Sequence, residues 1–112
     1  MRHEAQLDRL SKMSEIHKAL STPVRLAIME ILSEADRPVA KIQELVANEY
    51  GFSGMDPTNV SKHLSILKGL GIINCLKKGQ QRIYHLKAKC LMNAMSCALD
   101  ATKVNSNTNT EA

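Results

Sequence analysis

Apolar residues recur along most of this chain at steps of three and four, the spacing of helices that bury one face. In residues 4–20 that face is Leu7, Leu10, Met13, Ile16 or His17, and Leu20. A break at Ser21-Thr22-Pro23, a capping residue followed by proline, opens a second helix with Val24, Ala27, Ile28, Ile31 and Leu32 inward. Pro38 starts a third, with Val39, Ile42, Leu45 and Val46 inward, that ends near Tyr50-Gly51. After the loop Gly51–Met55, Asp56 can cap a fourth helix whose first position is Pro57, where a missing N–H costs nothing. Its inward stripe is Val60, Leu64, Leu67 and Gly71. Beyond Gly69 and Gly71 the pattern shortens: Ile72–Leu76 and Arg82–Leu86 read as two strands about the turn-forming Lys78-Gly79-Gln80. A last helix spans about 88–103, and the polar, low-complexity Asn105–Ala112 reads as a disordered tail. The expectation is one mainly α domain over residues 1–104, in the order α-α-α-α-β-β-α, with a tail over 105–112.

The fourth helix carries the most chemistry. With its stripe inward, Thr58, Lys62 and Ser65 point outward, flanked by Asn59 and Ser61, all short hydrogen-bonding groups or cations. The hairpin that follows holds Lys77 and Lys78 at its tip and Arg82 on its second strand. A polar-faced helix beside a basic-tipped hairpin suits a protein that reads a DNA groove and grips the adjacent backbone, a winged helix-turn-helix. The same residues could instead be a solvated face or a protein-docking face.

Charge placement favours DNA. The chain is only +4 overall. Residues 56–89 hold seven basic residues (Lys62, Lys68, Lys77, Lys78, Arg82, Lys87 and Lys89) against Asp56 alone, a local +6. An aromatic content of 3% with no Trp argues against stacking on unpaired bases, which leaves duplex DNA as the expected partner. Three cysteines, none in a CxxC, do not suit a disulfide scaffold and fit a reducing cytoplasm. No apolar run approaches the roughly 20 residues of a membrane span. Nothing resembles a phosphate-cradling loop, a paired-carboxylate pocket or a nucleophile–base arrangement, so no enzymatic activity is expected.

Three segments together resemble the arsenic-repressor (ArsR-type) family of winged-helix regulators: ALSTPVRLAIMEIL in the second helix, NVSKHLSILKGLGII in the fourth and GQQRIYHL in the hairpin. The likeness covers about residues 10–103. It implies a dimeric repressor that leaves its operator when an inducer binds, with DNA contacts at Thr58, Ser61 and Lys62. The family's inducer sites are where the chain departs. The cysteine-rich motif at the start of the third helix is replaced by Val39-Ala40-Lys41-Ile42, and the zinc-ligand positions of the last helix hold Ala88, Cys90 and Ala101. A metal site is therefore not assigned, and no cofactor is required.

Independently of that likeness, the first and last helices are unused by the DNA-reading part and need cover for their apolar faces. A homodimer zipped by both helices supplies it and matches the two-fold symmetry common in operators. On the last helix, Cys90, Ala94, Cys97 and Ala101 make a uniformly small face. Seven residues put the Cys90 and Cys97 Cα atoms about 10.5 Å apart, too far for an intrachain disulfide. Across an antiparallel pair of helices, Cys90 of one chain can face Cys97 of the other. Trivalent arsenic or antimony, a soft metal ion, or an oxidant or persulfide could act there as inducer. Cys75 on the first strand ranks lower. The competing readings are cysteines that simply pack, in a regulator without an inducer, and a winged-helix protein-interaction module.

Overall fold

The computed structural model describes residues 2–54 and 56–108. In chain order its elements are α1 (Arg2–Leu20), α2 (Pro23–Glu34), β1 (Arg37–Pro38), α3 (Val39–Asn48), α4 (Pro57–Gly69), β2 (Ile73–Lys78), β3 (Gln81–Leu86) and α5 (Cys90–Thr108). The expected order holds with one addition. β1 pairs antiparallel with β3, Arg37 opposite Tyr84 and Pro38 opposite Ile83, giving a three-stranded sheet in the order β1-β3-β2. A two-residue strand has no periodicity to read, and its Pro38 is tolerated because β1 is an edge. α5 runs past the expected end at 103, into the stretch expected to be a tail; residues 109–112 lie outside the described residues.

The core lies where α2, α3, α4 and the sheet meet. Ile28, Met29 and Leu32 of α2 pack with Ile42 and Val46 of α3, Leu64 and Leu67 of α4, and Ile73 and Leu86 of the hairpin, all nearly inaccessible to solvent. The α2 stripe is buried as the spacing predicts, with Met29 added. Its capping differs. Thr22 is the N-cap residue but its hydroxyl makes no cap bond; its carbonyl instead accepts from the Leu26 N–H at 3.1 Å.

α4 begins as the sequence indicates: the Asp56 carboxylate accepts from the Thr58 N–H at 3.0 Å, satisfying one of the orphan donors of the first turn. Its end corrects the expected stripe. Gly71 does not continue the helix; it follows the C-cap Leu70 with φ +78°. The Ile72 N–H donates to the Leu67 carbonyl and the Gly71 N–H to the Lys68 carbonyl, both at 3.0 Å, the paired bonds of a Schellman motif. Buried Ile72 and Leu67 supply the apolar contact that accompanies that motif, and the chain is launched directly into β2.

The hairpin pairs farther than expected, because Lys78 opposes Gln81 and leaves a two-residue loop of Gly79 and Gln80. Gly79 has φ +63°, the positive value that the first position of a type II′ turn requires. α1 meets the core only through its last turns; residues 2–15 are exposed throughout. On α5, Leu91, Met92 and Met95 lie against the core while Cys90, Ala94, Cys97 and Leu99 are exposed. Among the described residues no helix is long and apolar enough to cross a membrane.

Candidate nucleic-acid interface

Thr58, Asn59, Ser61, Lys62 and Ser65 are all exposed on α4, on the side away from the buried Val60, Leu64 and Leu67. The preceding helix braces the start of α4: Gln43 Nε2 on α3 donates to the Pro57 carbonyl at 3.5 Å. On the hairpin, Lys77 stands directly opposite Arg82, and both are exposed with Lys78 at the tip. Like charges facing each other across a strand pair are destabilising. A fold that keeps them holds positive charge where a polyanion can neutralise it.

The seven cations of residues 56–89 are all exposed, and none forms an ion pair among the described residues. The ion pairs of lysine and arginine lie in the first half of the chain: Lys12 with Glu15, Arg37 with Glu34 and Lys41 with Glu44. The positive charge of α4 and the hairpin is therefore not internally neutralised, unlike that of α3.

Two contacts around this surface escape any local reading of the sequence. Arg25 of α2 donates through Nε to His63 Nδ1 on α4 at 3.0 Å and through Nη1 to the Ala19 carbonyl at 3.1 Å. Burial, and then the Arg25 charge, hold His63 below the usual imidazole range. Arg25 stands inside the ALSTPVRLAIMEIL segment, which is the only sequence signal that could have drawn attention to it. The second contact ties the hairpin to the body: His85 Nδ1 on β3 lies 2.7 Å from Asp36 Oδ1, immediately before β1.

The cysteines separate by environment. Cys75 on β2 is half-buried opposite Tyr84, whose phenol is pushed up by burial and next by the Cys75 sulfur. Cys90 opens α5 and Cys97 lies within it, both exposed in the protomer. The described residues contain no group of three or more His, Cys, Asp or Glu side chains that could hold a metal ion.

Residues 22–74 match the family described as bacterial regulatory protein, arsR family. An uncharacterized HTH-type transcriptional regulator of Methanocaldococcus jannaschii is 33% identical over 81 residues, spanning 71% of this chain and 83% of the relative. The chain belongs to the ArsR family. As a member of it, the protein is a DNA-binding transcriptional regulator with a winged helix-turn-helix fold and not an enzyme. The transcriptional repressor SdpR of Bacillus subtilis is 28% identical over 88 residues, 79% of this chain and 90% of SdpR. In fold, the chain is similar to the homodimeric winged helix-turn-helix DNA-binding domain of a possible ArsR-family regulator from Mycobacterium bovis. The two are 22% identical with a TM-score of 0.68, over 95% of this chain and 88% of that one.

Proposed function

We propose that this ArsR-family regulator is a homodimeric repressor that reads duplex operator DNA with α4, grips phosphates with the β2–β3 wing, and is released by a thiol-reactive inducer at Cys90 and Cys97. The observation that carries the DNA-reading part is the coincidence of the exposed polar face of α4 with an unneutralised basic hairpin beside it. Thr58, Asn59, Ser61, Lys62 and Ser65 are assigned to the groove, and Lys77, Lys78 and Arg82 to the backbone. The name of SdpR supports repression, and the homodimeric Mycobacterium bovis domain supports the dimer.

Shape adds to the case for a dimer. The radius of gyration is 16.8 Å, against about 13 Å for a compact chain of this length. The excess fits α1 and α5 extending beyond the core with apolar side chains uncovered, among them Leu7, Leu10, Met13 and Leu99. A second copy is the cover this reading assigns them.

The inducer assignment relies on thiols from two chains, since Cys90 and Cys97 are exposed and too far apart along one helix to act alone. Trivalent arsenic or antimony, a soft metal ion, or an oxidant or persulfide is the class of effector, in a reducing cytoplasm that keeps the thiols free. An inducer releases DNA only through unequal affinity for two dimer states, and a site spanning the subunit interface is placed to differ between them.

The test uses a duplex recovered by the protein from a random pool. A Thr58→Ala/Ser61→Ala/Lys62→Ala variant should lose discrimination between that duplex and a scrambled one; retention of both affinity and specificity would refute the α4 assignment. Trivalent arsenic or a thiol oxidant should release DNA from the wild type but not from Cys90→Ser/Cys97→Ser, while Cys75→Ser keeps the response. Release that persists in the double variant puts the sensor elsewhere. A wild type that never responds makes these cysteines packing residues.

A further inference from the structure

Arg25 belongs to α2, next to the buried Val24, yet its guanidinium leaves its own helix in two directions. One arm reaches the carbonyl of Ala19 in the last turn of α1, where helix carbonyls lack intrahelical partners; the other reaches the His63 ring on α4. A single rigid fork thus touches the helix whose apolar face is uncovered and the helix whose polar face is turned outward. The His63 contact also sets the ring chemistry. Nδ1 can accept from Arg25 only in the neutral imidazole, so the ring proton sits on Nε2. His63 follows Asn59 by four residues, so the two share a flank of α4 beside the groove-facing positions.

We propose that Arg25 is a positioning residue for DNA reading: by tying the Ala19 carbonyl to the His63 ring, it sets the rotation of α4 relative to α1 and so aims Thr58, Asn59 and Lys62 at the bases. This rests on α4 being the DNA-reading helix. A residue that aims α4 controls how well the selected sequence is told from others, whereas a residue that touches phosphate controls affinity for every sequence.

Acid should loosen the bracket. Protonation turns Nδ1 from acceptor to donor and sets a cation against the Arg25 guanidinium. His63 is held below its ordinary 6.5 by burial and then by Arg25. The contribution of the neutral ring is therefore complete above 6.5 and is lost as pH falls through the lowered value. Of the elements packed against α4, α2 brings Arg25 to the ring and α3 brings the neutral Gln43 to the Pro57 carbonyl; β2 contributes no ion pair to the ring among the described residues. The cations of α4 itself, Lys62 and Lys68, are exposed.

The experiment measures, for the full chain, the affinity ratio between the selected duplex and a scrambled duplex of equal length, with its salt dependence. Arg25→Gln at pH 8 should lower the ratio about tenfold, the order of one misplaced base contact, with an unchanged salt slope. His63→Asn, whose amide oxygen takes the place of Nδ1 and does not titrate, should keep a ratio that stays flat as pH is lowered from 8 past the ordinary 6.5, while the wild-type ratio falls once pH reaches the lowered His63 value. His63→Ala, which removes the acceptor, should lower the ratio as Arg25→Gln does, and Arg25→Gln/His63→Ala should be no worse than either, because Arg25 acts through that partner. If thermal melting shows that Arg25→Gln does not fold, Arg25→Lys replaces it; its single ammonium reaches one of the two acceptors and should give an intermediate ratio. A salt slope reduced by about 0.9 in the Arg25 variant would make it a phosphate contact and overturn the proposal. So would an unchanged ratio in the Arg25 variant, additive losses in the double variant, or a wild-type pH profile that His63→Asn reproduces. A wild type that selects no sequence at all would instead refute DNA reading by α4, and the bracket with it.

Discussion

Replacing Leu10 with Glu tests the proposed dimer interface separately from the fold. Leu10 sits mid-way along α1, where it is 50% exposed in the protomer, with Leu7 at 62% and Met13 at 42% on the same face. Burying a whole leucine side chain contributes about 1.5–3 kcal/mol, so covering the remaining half of Leu10 contributes about 1 kcal/mol in each protomer. Two copies at a two-fold interface make about 2 kcal/mol, or about a 30-fold rise in the dimer dissociation constant. A carboxylate forced into the same contact adds to that figure, which is therefore a lower bound. Glu matches Leu closely in helix propensity, so α1 itself should be little affected. Leu91 would be a poorer probe, since it packs against the core and a charge there would strike the fold as well. Sedimentation equilibrium over a concentration series gives the constant directly, and circular dichroism checks that helix content is retained. An unchanged constant in a folded Leu10→Glu variant would remove α1 from the interface. A wild type that sediments as a monomer at every concentration would refute the dimer itself.

The wing and the helix ends give further tests. Lys77→Ala and Lys78→Ala should each flatten the salt dependence of DNA affinity by up to about 0.9, equally for all sequences; slopes that stay put would show that the hairpin tip does not meet phosphate. At the end of α4, Gly71→Ala should cost about 1–2 kcal/mol in urea unfolding, because φ +78° is strained for a residue with a side chain even though the space is open. Gly69→Ala, two residues earlier in helical backbone and equally open space, should instead stabilise by about 0.4–1 kcal/mol; equal effects from the two would refute the αL cap. In alkaline titration neither tyrosine should ionise at its ordinary 10, since Tyr84 is raised and Tyr50 is pushed up to about 12 by burial and then by its bond to Glu30. Tyr50 thus contributes stability that is complete below pH 10 and lost as pH rises through about 12; half of the 295 nm absorbance change arriving at pH 10 would contradict this.

The sequence by itself determined the features that near neighbours in the chain control. A capping carboxylate at Asp56, a proline at the next position and apolar residues every three or four define α4, its inward stripe and its outward polar face without any distant contact. The same holds for the α2 stripe and for the two wing strands about Gly79, whose positive φ only a few residues tolerate. Tertiary structure decided whatever depends on residues far apart in the chain. β1 is a strand only because Arg37 and Pro38 meet Tyr84 and Ile83. Gly71 fits the α4 stripe by spacing, yet chain reversal into β2 makes it the residue after the cap. The Arg25–His63 bond spans 38 positions and the His85–Asp36 contact 49, so neither leaves a periodic trace. The exposure of Leu7, Leu10 and Met13 was decided the same way. Periodicity predicts that a helix has an apolar face, but whether the chain's own core covers it depends on where the helix is packed, and α1 reaches the core only through its last turns.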